Sequence, residues 1–208
     1  MKNGHQSRLT RLSTIWVLCW GLLACGSEQP ALSPLGADAK ILAFGDSLTK
    51  GTGGGEANYP ATLSRLGGRE VVNAGIPGEL SGAGLKRLPR VLDATQPQLL
   101  ILCHGGNDML RKKNLKTAAN NIRAMVELAQ ARNVQVLLVG VPKPGLLLGT
   151  ASFYSDVAAA TGIPAEHEIL ADILSSPGLK SDAIHPNGKG YERMAEAIYE
   201  VLKDAGAL

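Results

Sequence analysis

The chain of 208 residues contains a serine and a few histidines whose types and spacing suit acyl transfer. Ser47 follows Gly45-Asp46, and its hydroxyl is the candidate nucleophile. A serine hydroxyl is nearly inert at neutral pH unless a base lies within hydrogen-bond reach. Beyond the first 24 residues the imidazoles available for that purpose are those of His104, His167 and His185. The choice of a base is therefore narrow.

His185 is the base that the spacing favours, because Asp182 lies three residues before it. This separation lets both side chains converge from one turn. Nδ1 of His185 would then donate to Asp182 while Nε2 faces Ser47, which is the arrangement of a Ser-His-Asp triad.

Two alternatives for the base remain open. His104 directly follows an apolar run, which places it near a pocket, but Asp108 is the one acid close enough in sequence to orient it. His167 stands between two glutamates, where a solvated or edge position is expected.

Short apolar runs that alternate with longer helical patterns must position these side chains. Such alternation from residue 40 onward is typical of βαβ units and a mostly parallel sheet. The predicted strands are 40–44, 70–73, 99–103, 135–139 and a short one near 166–169. The predicted helices, with apolar residues at helical spacing, are 59–66, 83–94, 115–132, 151–161 and 191–202.

Polar turns follow the first three predicted strands. They are Gly45-Asp46-Ser47-Leu48-Thr49, Asn73-Ala74-Gly75-Ile76-Pro77-Gly78-Glu79 and His104-Gly105-Gly106-Asn107-Asp108. Ligands of open α/β sheets bind outside the carboxyl ends of the strands. The loop at 181–187, before the last helix, can fold back over the same edge, so the candidate nucleophile and base would meet there.

Four blocks in this order resemble those of the GDSL or SGNH hydrolases. The blocks are Gly45-Asp46-Ser47-Leu48, Gly78, Gly105-Gly106-Asn107-Asp108 and Asp182-Ala183-Ile184-His185-Pro186-Asn187. The resemblance covers roughly residues 41–202 and is strongest to the bacterial thioesterase I, arylesterase and lysophospholipase subgroup, with Asn73-Ala74 and Leu85-Lys86-Arg87-Leu88-Pro89 included. It implies a flavodoxin-like three-layer α/β/α sandwich around a mostly parallel five-stranded sheet.

The resemblance also implies a role for each block. Ser47 would be the nucleophile, and Asp182 with His185 would complete the triad. The backbone N–H of Gly78 and the side-chain amide of Asn107 would join the Ser47 N–H as an oxyanion hole. Taken singly, Gly78 could be a turn glycine and Asn107 a helix cap, but the full set of blocks favours the catalytic roles.

Some residues depart from the family pattern or are expected to be structural. Many relatives carry an apolar residue where His104 stands, so His104 is a tentative substrate contact. The glycine-rich run at 51–55 has no Gly-Lys-Ser/Thr ending and does not indicate a phosphate site. We expect the carboxylates of Asp46 and Asp108 to bond loop amides and not to take part in the chemistry.

The amino-terminal segment is typical of an exported protein. Three basic residues precede an apolar run at 15–24 that is too short to span a bilayer as a mature helix. The following Leu22-Leu23-Ala24-Cys25 resembles the lipobox of bacterial lipoproteins, in which the cysteine is lipidated. The alternative is an ordinary signal peptide with an incidental cysteine.

These features predict a lipoprotein signal peptide at 1–24, the lipidated Cys25 with a flexible tether at 25–38, and an SGNH hydrolase domain at 39–208. The protein would be exported and anchored to a membrane, facing the periplasm or lying on the cell surface.

Charge and cysteine content exclude several other classes. The leader holds three of the 21 basic residues and none of the 18 acidic ones, so the remaining chain carries 18 of each. It has no basic excess, and no nucleic-acid partner is expected. Cys103 would be a buried thiol without a disulfide partner. The spacing of possible ligands indicates no metal site, and no cofactor is expected.

The predicted function is hydrolysis of carboxylic esters or thioesters through an acyl-enzyme on Ser47. The substrates would be lysophospholipids, aryl esters or acyl thioesters, bound by a monomer. Three tentative contacts for an acyl chain are Leu146, Leu147 and Leu148, which are alternatively mere packing. The competing functions are an O-acetylesterase of carbohydrate or cell wall and a non-catalytic lipid- or glycan-binding lipoprotein.

Overall fold

The computed structural model of the protein describes Met1 and residues 30–145 and 148–208. The rest of the predicted leader, Cys25 and the first part of the tether lie outside the described residues, as do Leu146 and Leu147. Within the described ranges, no helix is long and apolar enough to cross a membrane.

Five parallel strands form one sheet. They are β1 (Lys40–Gly45), β2 (Glu70–Gly75), β3 (Leu99–Cys103), β4 (Gln135–Val139) and β5 (Ala165–Glu166), in the order β2-β1-β3-β4-β5. This is the flavodoxin-like order, in which the chain direction across the sheet reverses between β1 and β3. The predicted sheet is confirmed, and its switch point lies where Ser47 and Asn107 follow their strands.

Helices cover both faces of the sheet. They are α1 (Ser47–Lys50), α2 (Tyr59–Gly67), α3 (Ser81–Thr95), α4 (Gly106–Leu110), α5 (Leu115–Gln130), α6 (Phe153–Thr161), α7 (Ile169–Ser175) and α8 (Gly188–Asp204), with a 3₁₀ turn at Pro177–Leu179. Helix α8 packs against α2 and α7, whereas α5 packs against α3 and α6. The two groups and the sheet make the three layers expected.

The elements that differ from prediction are short. Helices α1, α4 and α7 were not predicted, because four to seven residues are too few to show a helical period. The fifth strand is Ala165–Glu166, which is earlier than the predicted position near 166–169. Its last residue is Glu166, whose carboxylate accepts the backbone N–H groups of Glu168 and Ile169 and so starts α7 where the strand was expected to continue.

The predicted tether at 25–38 is partly wrong, because its second half belongs to the domain. Leu32 N–H donates to the carbonyl of Ala205 at 2.7 Å, and Leu35 N–H donates to that of Ala207 at 2.9 Å. The Leu35 side chain is only 5% exposed. The domain therefore begins near residue 32 and not at 39, because this segment bonds to the carboxyl-terminal end of the chain and Leu35 belongs to the core.

Candidate active site

Ser47, His185 and Asp182 form a continuous hydrogen-bonded relay. The hydroxyl of Ser47 lies 3.0 Å from Nε2 of His185, and Nδ1 of His185 lies 2.8 Å from Oδ2 of Asp182. Ser47 is the first residue of α1, directly after β1, and the other two residues precede α8. The relay closes across 138 residues of sequence.

The Asp182 carboxylate is held in its ionised form. Partial burial raises its pKa, but the hydrogen bonds from the His185 ring and from the backbone N–H groups of Ile184 and His185 outweigh burial and leave the pKa below its usual value. An ionised acceptor keeps a proton on Nδ1 of His185 and frees Nε2 to accept from Ser47. The Asp182 side chain is 53% exposed and that of His185 only 14%.

The loop that carries Asp182 and His185 is braced by its own backbone. Ser181 N–H donates to the His185 carbonyl at 2.9 Å, and the Asn187 side chain accepts from Gly190 N–H to cap α8. Gly53, with φ +89°, packs so tightly on Ser181 that a Cβ atom would overlap its hydroxyl. Gly53, in the loop after the nucleophile, therefore lets these two loops approach each other.

Asn107 is tied to the turn that holds the nucleophile. Its Nδ2 donates one hydrogen to Oδ2 of buried Asp46 at 3.1 Å, and its second hydrogen has no acceptor among the described residues. Asp46 also accepts the Leu48 N–H and caps α1. Burial raises the pKa of Asp46, although the hydrogen bonds from these two donors lower it. As expected, Asp46 is a structural acid.

Gly78 lies in the loop between β2 and α3, at the same edge of the sheet. It adopts φ +77°, a conformation that favours glycine, and its carbonyl accepts from Nη2 of Arg111 at 3.0 Å. Its N–H donates to no acceptor within the described ranges. Asp108, in α4, accepts the N–H and hydroxyl of Ser81 at 2.8 Å each and is structural, as expected.

His104 does not contact the cavity, so the tentative substrate role assigned to it is wrong. Its side chain is 0% exposed, and its Nε2 lies 3.1 Å from Oε2 of Glu79. Its Nδ1 accepts the N–H of Gly105 at 2.9 Å. Asp108 was the acid expected to orient His104, but the partner in the structure is Glu79. The paired ring is buried and does not line the cavity.

Glu79 is the residue near the site that sequence reasoning missed. It accepts two hydrogen bonds from Arg87, at 2.9 Å from Nε and 2.7 Å from Nη2, and its side chain is 7% exposed. Burial raises its pKa, but the hydrogen bonds from His104 and Arg87 outweigh burial and lower it to about 2. The available signal was an acid directly after Gly78 with an arginine two helical turns later.

A cavity of about 470 Å³ opens beside Ser47, Asn107 and His185. Most of its other lining residues are apolar, namely Leu48, Leu110, Val141, Pro142, Pro144, Leu148, Leu174, Ala183 and Ile184. Lys143 and Lys180 add positive charge to the lining. Of the three leucines predicted to contact an acyl chain, Leu148 lines the cavity and the other two lie outside the described residues.

Known proteins share both the sequence pattern and the fold. Residues 43–193 match the model of the GDSL-like lipase/acylhydrolase family. Esterase TesA of Pseudomonas aeruginosa is 29% identical over 184 residues, covering 83% of this chain and 92% of the relative. Thioesterase 1/protease 1/lysophospholipase L1 of Escherichia coli K12 is 31% identical over 172 residues, covering 78% of this chain and 83% of the relative.

A solved structure is also similar. The psychrotrophic esterase EstA from Pseudoalteromonas sp., inhibited by monoethylphosphonate, superposes with a TM-score of 0.72 at 26% identity and covers 80% of this chain and 97% of its own.

The depressed pKa of Glu79 predicts acid-sensitive stability. A carboxylate whose pKa falls from 4.5 unfolded to about 2 folded stabilises the fold by about 3 kcal/mol above pH 4.5, and this contribution is lost as pH falls toward 2. Chemical denaturation of wild type should therefore show the free energy of unfolding falling over that window. Glu79→Gln should have a lower free energy of unfolding at pH 7, and that free energy should change less with pH between pH 4.5 and 2. An equally steep fall in the variant would contradict the assignment.

Proposed function

The chain belongs to the GDSL-like lipase/acylhydrolase family and is a serine hydrolase of carboxylic esters and thioesters, and we propose that Ser47, His185 and Asp182 are its catalytic triad. The observation that supports this assignment is the relay of two hydrogen bonds, 3.0 Å and 2.8 Å long, from the Ser47 hydroxyl to the Asp182 carboxylate. Each atom in the relay has the partner that its role requires.

In the proposed mechanism the Ser47 hydroxyl attacks the carbonyl carbon of the ester or thioester, and Nε2 of His185 takes the hydroxyl proton. The imidazolium formed is stabilised by the Asp182 carboxylate. His185 then protonates the leaving alcohol or thiol as the tetrahedral intermediate collapses to an acyl-enzyme. Water, deprotonated by His185, attacks the acyl-enzyme and releases the acid and Ser47.

We assign the oxyanion hole to the backbone N–H groups of Ser47 and Gly78 and the Nδ2 amide of Asn107. The free N–H of Gly78 and the second hydrogen of the Asn107 amide supply neutral donors at the carboxyl edge of the sheet. Preorganised donors of this kind stabilise the charge that develops in the transition state.

The cavity supports an acyl chain of several carbons as the preferred substrate group. A volume of about 470 Å³ lies in the range of ligand-binding pockets, and its lining is mainly apolar. Burial of apolar surface would therefore favour medium-chain esters, thioesters and lysophospholipids over acetyl esters. An acetylesterase gains nothing from such a cavity. All of the proposed catalytic groups come from one chain, which suits a monomer.

We further propose that the protein is exported and anchored to a membrane by lipidated Cys25, facing the periplasm or the cell surface. The lipobox-like run before Cys25 supports the anchor. Residues 33 and 35 meet the amino edge of the sheet, because Ser33 bonds Gln135 at the start of β4 and the Leu35 carbonyl accepts from Arg69 next to β2. The anchor would thus join the domain at the edge opposite the catalytic relay.

This attachment limits where an anchored enzyme can find its substrate. The seven steps from Cys25 to Leu32 span at most about 25 Å when fully extended. That reach is short compared with the path around the domain to its far edge. Substrates would then arrive through the aqueous phase rather than from the leaflet that holds the anchor.

Replacing the nucleophile tests the proposed triad. Ser47→Ala should lower kcat/KM for a nitrophenyl ester at least about 10⁴-fold, because within the described residues no other hydroxyl bonds the His185 ring. A fluorophosphonate should label wild type but not Ser47→Ala. It should also label the control Ser64→Ala, in which the lost hydroxyl lies in α2 and donates to the Arg69 carbonyl. Undiminished labelling of Ser47→Ala would rule out Ser47 as the nucleophile.

An acyl-chain series tests the substrate group. Wild type should hydrolyse octanoyl nitrophenyl ester with a higher kcat/KM than the acetyl ester. Leu148→Ala should lower kcat/KM for octanoyl about 5- to 10-fold and leave acetyl unchanged, because it removes apolar contact from the cavity wall. Leu66→Ala, an exposed leucine on α2, is the control. A preference for acetyl would favour the acetylesterase function.

Metabolic labelling tests the anchor. Cells given labelled palmitate should incorporate it into wild type and not into Cys25→Ala, because lipidation needs that thiol. The active-site label described for Ser47 should be equal in both proteins. Palmitate in neither protein would leave Cys25 as an incidental residue of an ordinary signal peptide.

A further inference from the structure

A buried cluster of three side chains connects the two loops that carry the proposed oxyanion donors. We call Glu79, Arg87 and His104 the Glu79 cluster. Glu79 directly follows Gly78, and His104 lies three residues before Asn107. The carboxylate of Glu79 accepts from Arg87 at 2.7 and 2.9 Å and lies 3.1 Å from Nε2 of His104. The cluster therefore joins the β2–α3 loop to the β3–α4 turn.

The hydrogen bonds of His104 define its tautomer. Nδ1 accepts the N–H of Gly105, so it carries no proton, and Nε2 must hold the hydrogen that it donates to Glu79. The His104 carbonyl also accepts from the hydroxyl of Tyr154 at 2.7 Å. The ring is thus a fixed, neutral donor, and the turn that leads to Asn107 is held on both sides.

Arg87 ties the same carboxylate to the strands beneath the site. Its Nη2 also donates to the Ala74 carbonyl at the end of β2, at 3.1 Å. Its guanidinium lies 4.0 Å from the centre of the Phe44 ring in β1. Helix α3 closes over His104 at Gly84, where a Cβ atom would overlap Nε2 of the ring. The end of β2, the Phe44 ring and helix α3 therefore pack around the Glu79 cluster.

Gly78 has no side chain of its own to hold its peptide in place, and its φ of +77° is a conformation that it could readily leave. Its carbonyl is held by one exposed hydrogen bond from Arg111. Its other restraints come from the next residue, whose N–H donates to the Ile76 carbonyl at 3.2 Å and whose carboxylate makes three partly buried hydrogen bonds. Charge-assisted bonds to a carboxylate whose side chain is 7% exposed restrain a peptide more strongly than one exposed bond.

We propose that Glu79 is a positioning residue, which through Arg87 and His104 holds the Gly78 N–H at the place where the oxyanion forms, in register with the Asn107 amide. This inference rests on the proposed function, in which Gly78 and Asn107 are oxyanion donors. Glu79 itself touches neither substrate nor nucleophile and acts only by fixing the loop. The role of His104 is the same, which explains a buried histidine beside the site that takes no proton from Ser47.

Glu79→Gln keeps the shape of the side chain but turns one acceptor oxygen into a donor that faces Arg87 or His104. We expect kcat to fall about 10- to 100-fold with KM within about twofold. A misplaced donor weakens the hydrogen bond to the oxyanion, which forms in the transition state and not in the bound substrate. The inhibition constant of octylboronic acid, whose serine adduct is tetrahedral, should rise by the same factor as kcat/KM falls. A residue with a purely structural role would move neither quantity.

Two control variants separate positioning from stability and charge. Leu202→Ala removes a buried side chain at the end of α8 and should lower Tm without changing kcat or the boronate inhibition constant below the transition. Glu70→Gln removes an exposed charge paired with Lys40 at the opposite edge of the sheet and should leave all three unchanged. His104→Gln tests the inter-loop bond without uncovering a buried charge, and it should give a smaller fall in kcat in the same pattern.

The outcomes distinguish this proposal from the proposed function. Loss of activity in Ser47→Ala together with wild-type kcat and boronate inhibition in folded Glu79→Gln or His104→Gln would overturn the positioning role alone. Full activity in Ser47→Ala would overturn the proposed function itself. If Glu79→Gln does not fold, the His104→Gln result decides between these outcomes.

Discussion

The pairing of β1 with β3 is the constraint on which the site depends. The two strands end in register, with Gly45 opposite Cys103, at the point where the order of the sheet reverses. A side chain at Gly45 would overlap the Cys103 carbonyl, so the two chain ends can leave the sheet side by side only with glycine there. The crevice that results holds Ser47 after one strand and Asn107 after the other, and the bond from Asn107 to Asp46 joins them.

The acidic residues around this crevice fall into groups according to their hydrogen-bond donors. Asp46 and Asp108 are buried and accept from loop donors, so they define the backbone path. Glu79 is paired with Arg87 and His104 in the cluster beneath the loops. Asp182 alone among these four is half exposed, with one oxygen on its own loop and the other on His185. A buried charge needs full pairing, whereas an exposed carboxylate can hold an imidazole and still meet solvent.

The carboxyl and amino edges of the sheet have different roles. Loops that leave the carboxyl ends of the strands form the relay and the cavity, while the segment at 32–35 completes the core at the amino edge through bonds to Ala205, Ala207 and Gln135. Residues 32–35 therefore lie at the edge opposite the relay. Residues 25–208 carry 18 basic and 18 acidic side chains, so the two lysines that line the cavity are not part of a general positive excess.

The amino-acid sequence by itself determined the parallel sheet and the long helices, and the resemblance of four ordered blocks supplied the strand-order class and the residues of the relay. Local hydrophobic periodicity predicts strands and long helices. Asp182 and His185 are close enough in sequence for one turn to join them. Only the tertiary structure decided the partner of His104, because Glu79 lies 25 residues earlier and the two meet only when β2, β3 and α3 pack. The start of the domain near residue 32 likewise depends on hydrogen bonds to the far end of the chain. Contacts between distant segments have no local period, so they become visible only when the fold brings those segments together.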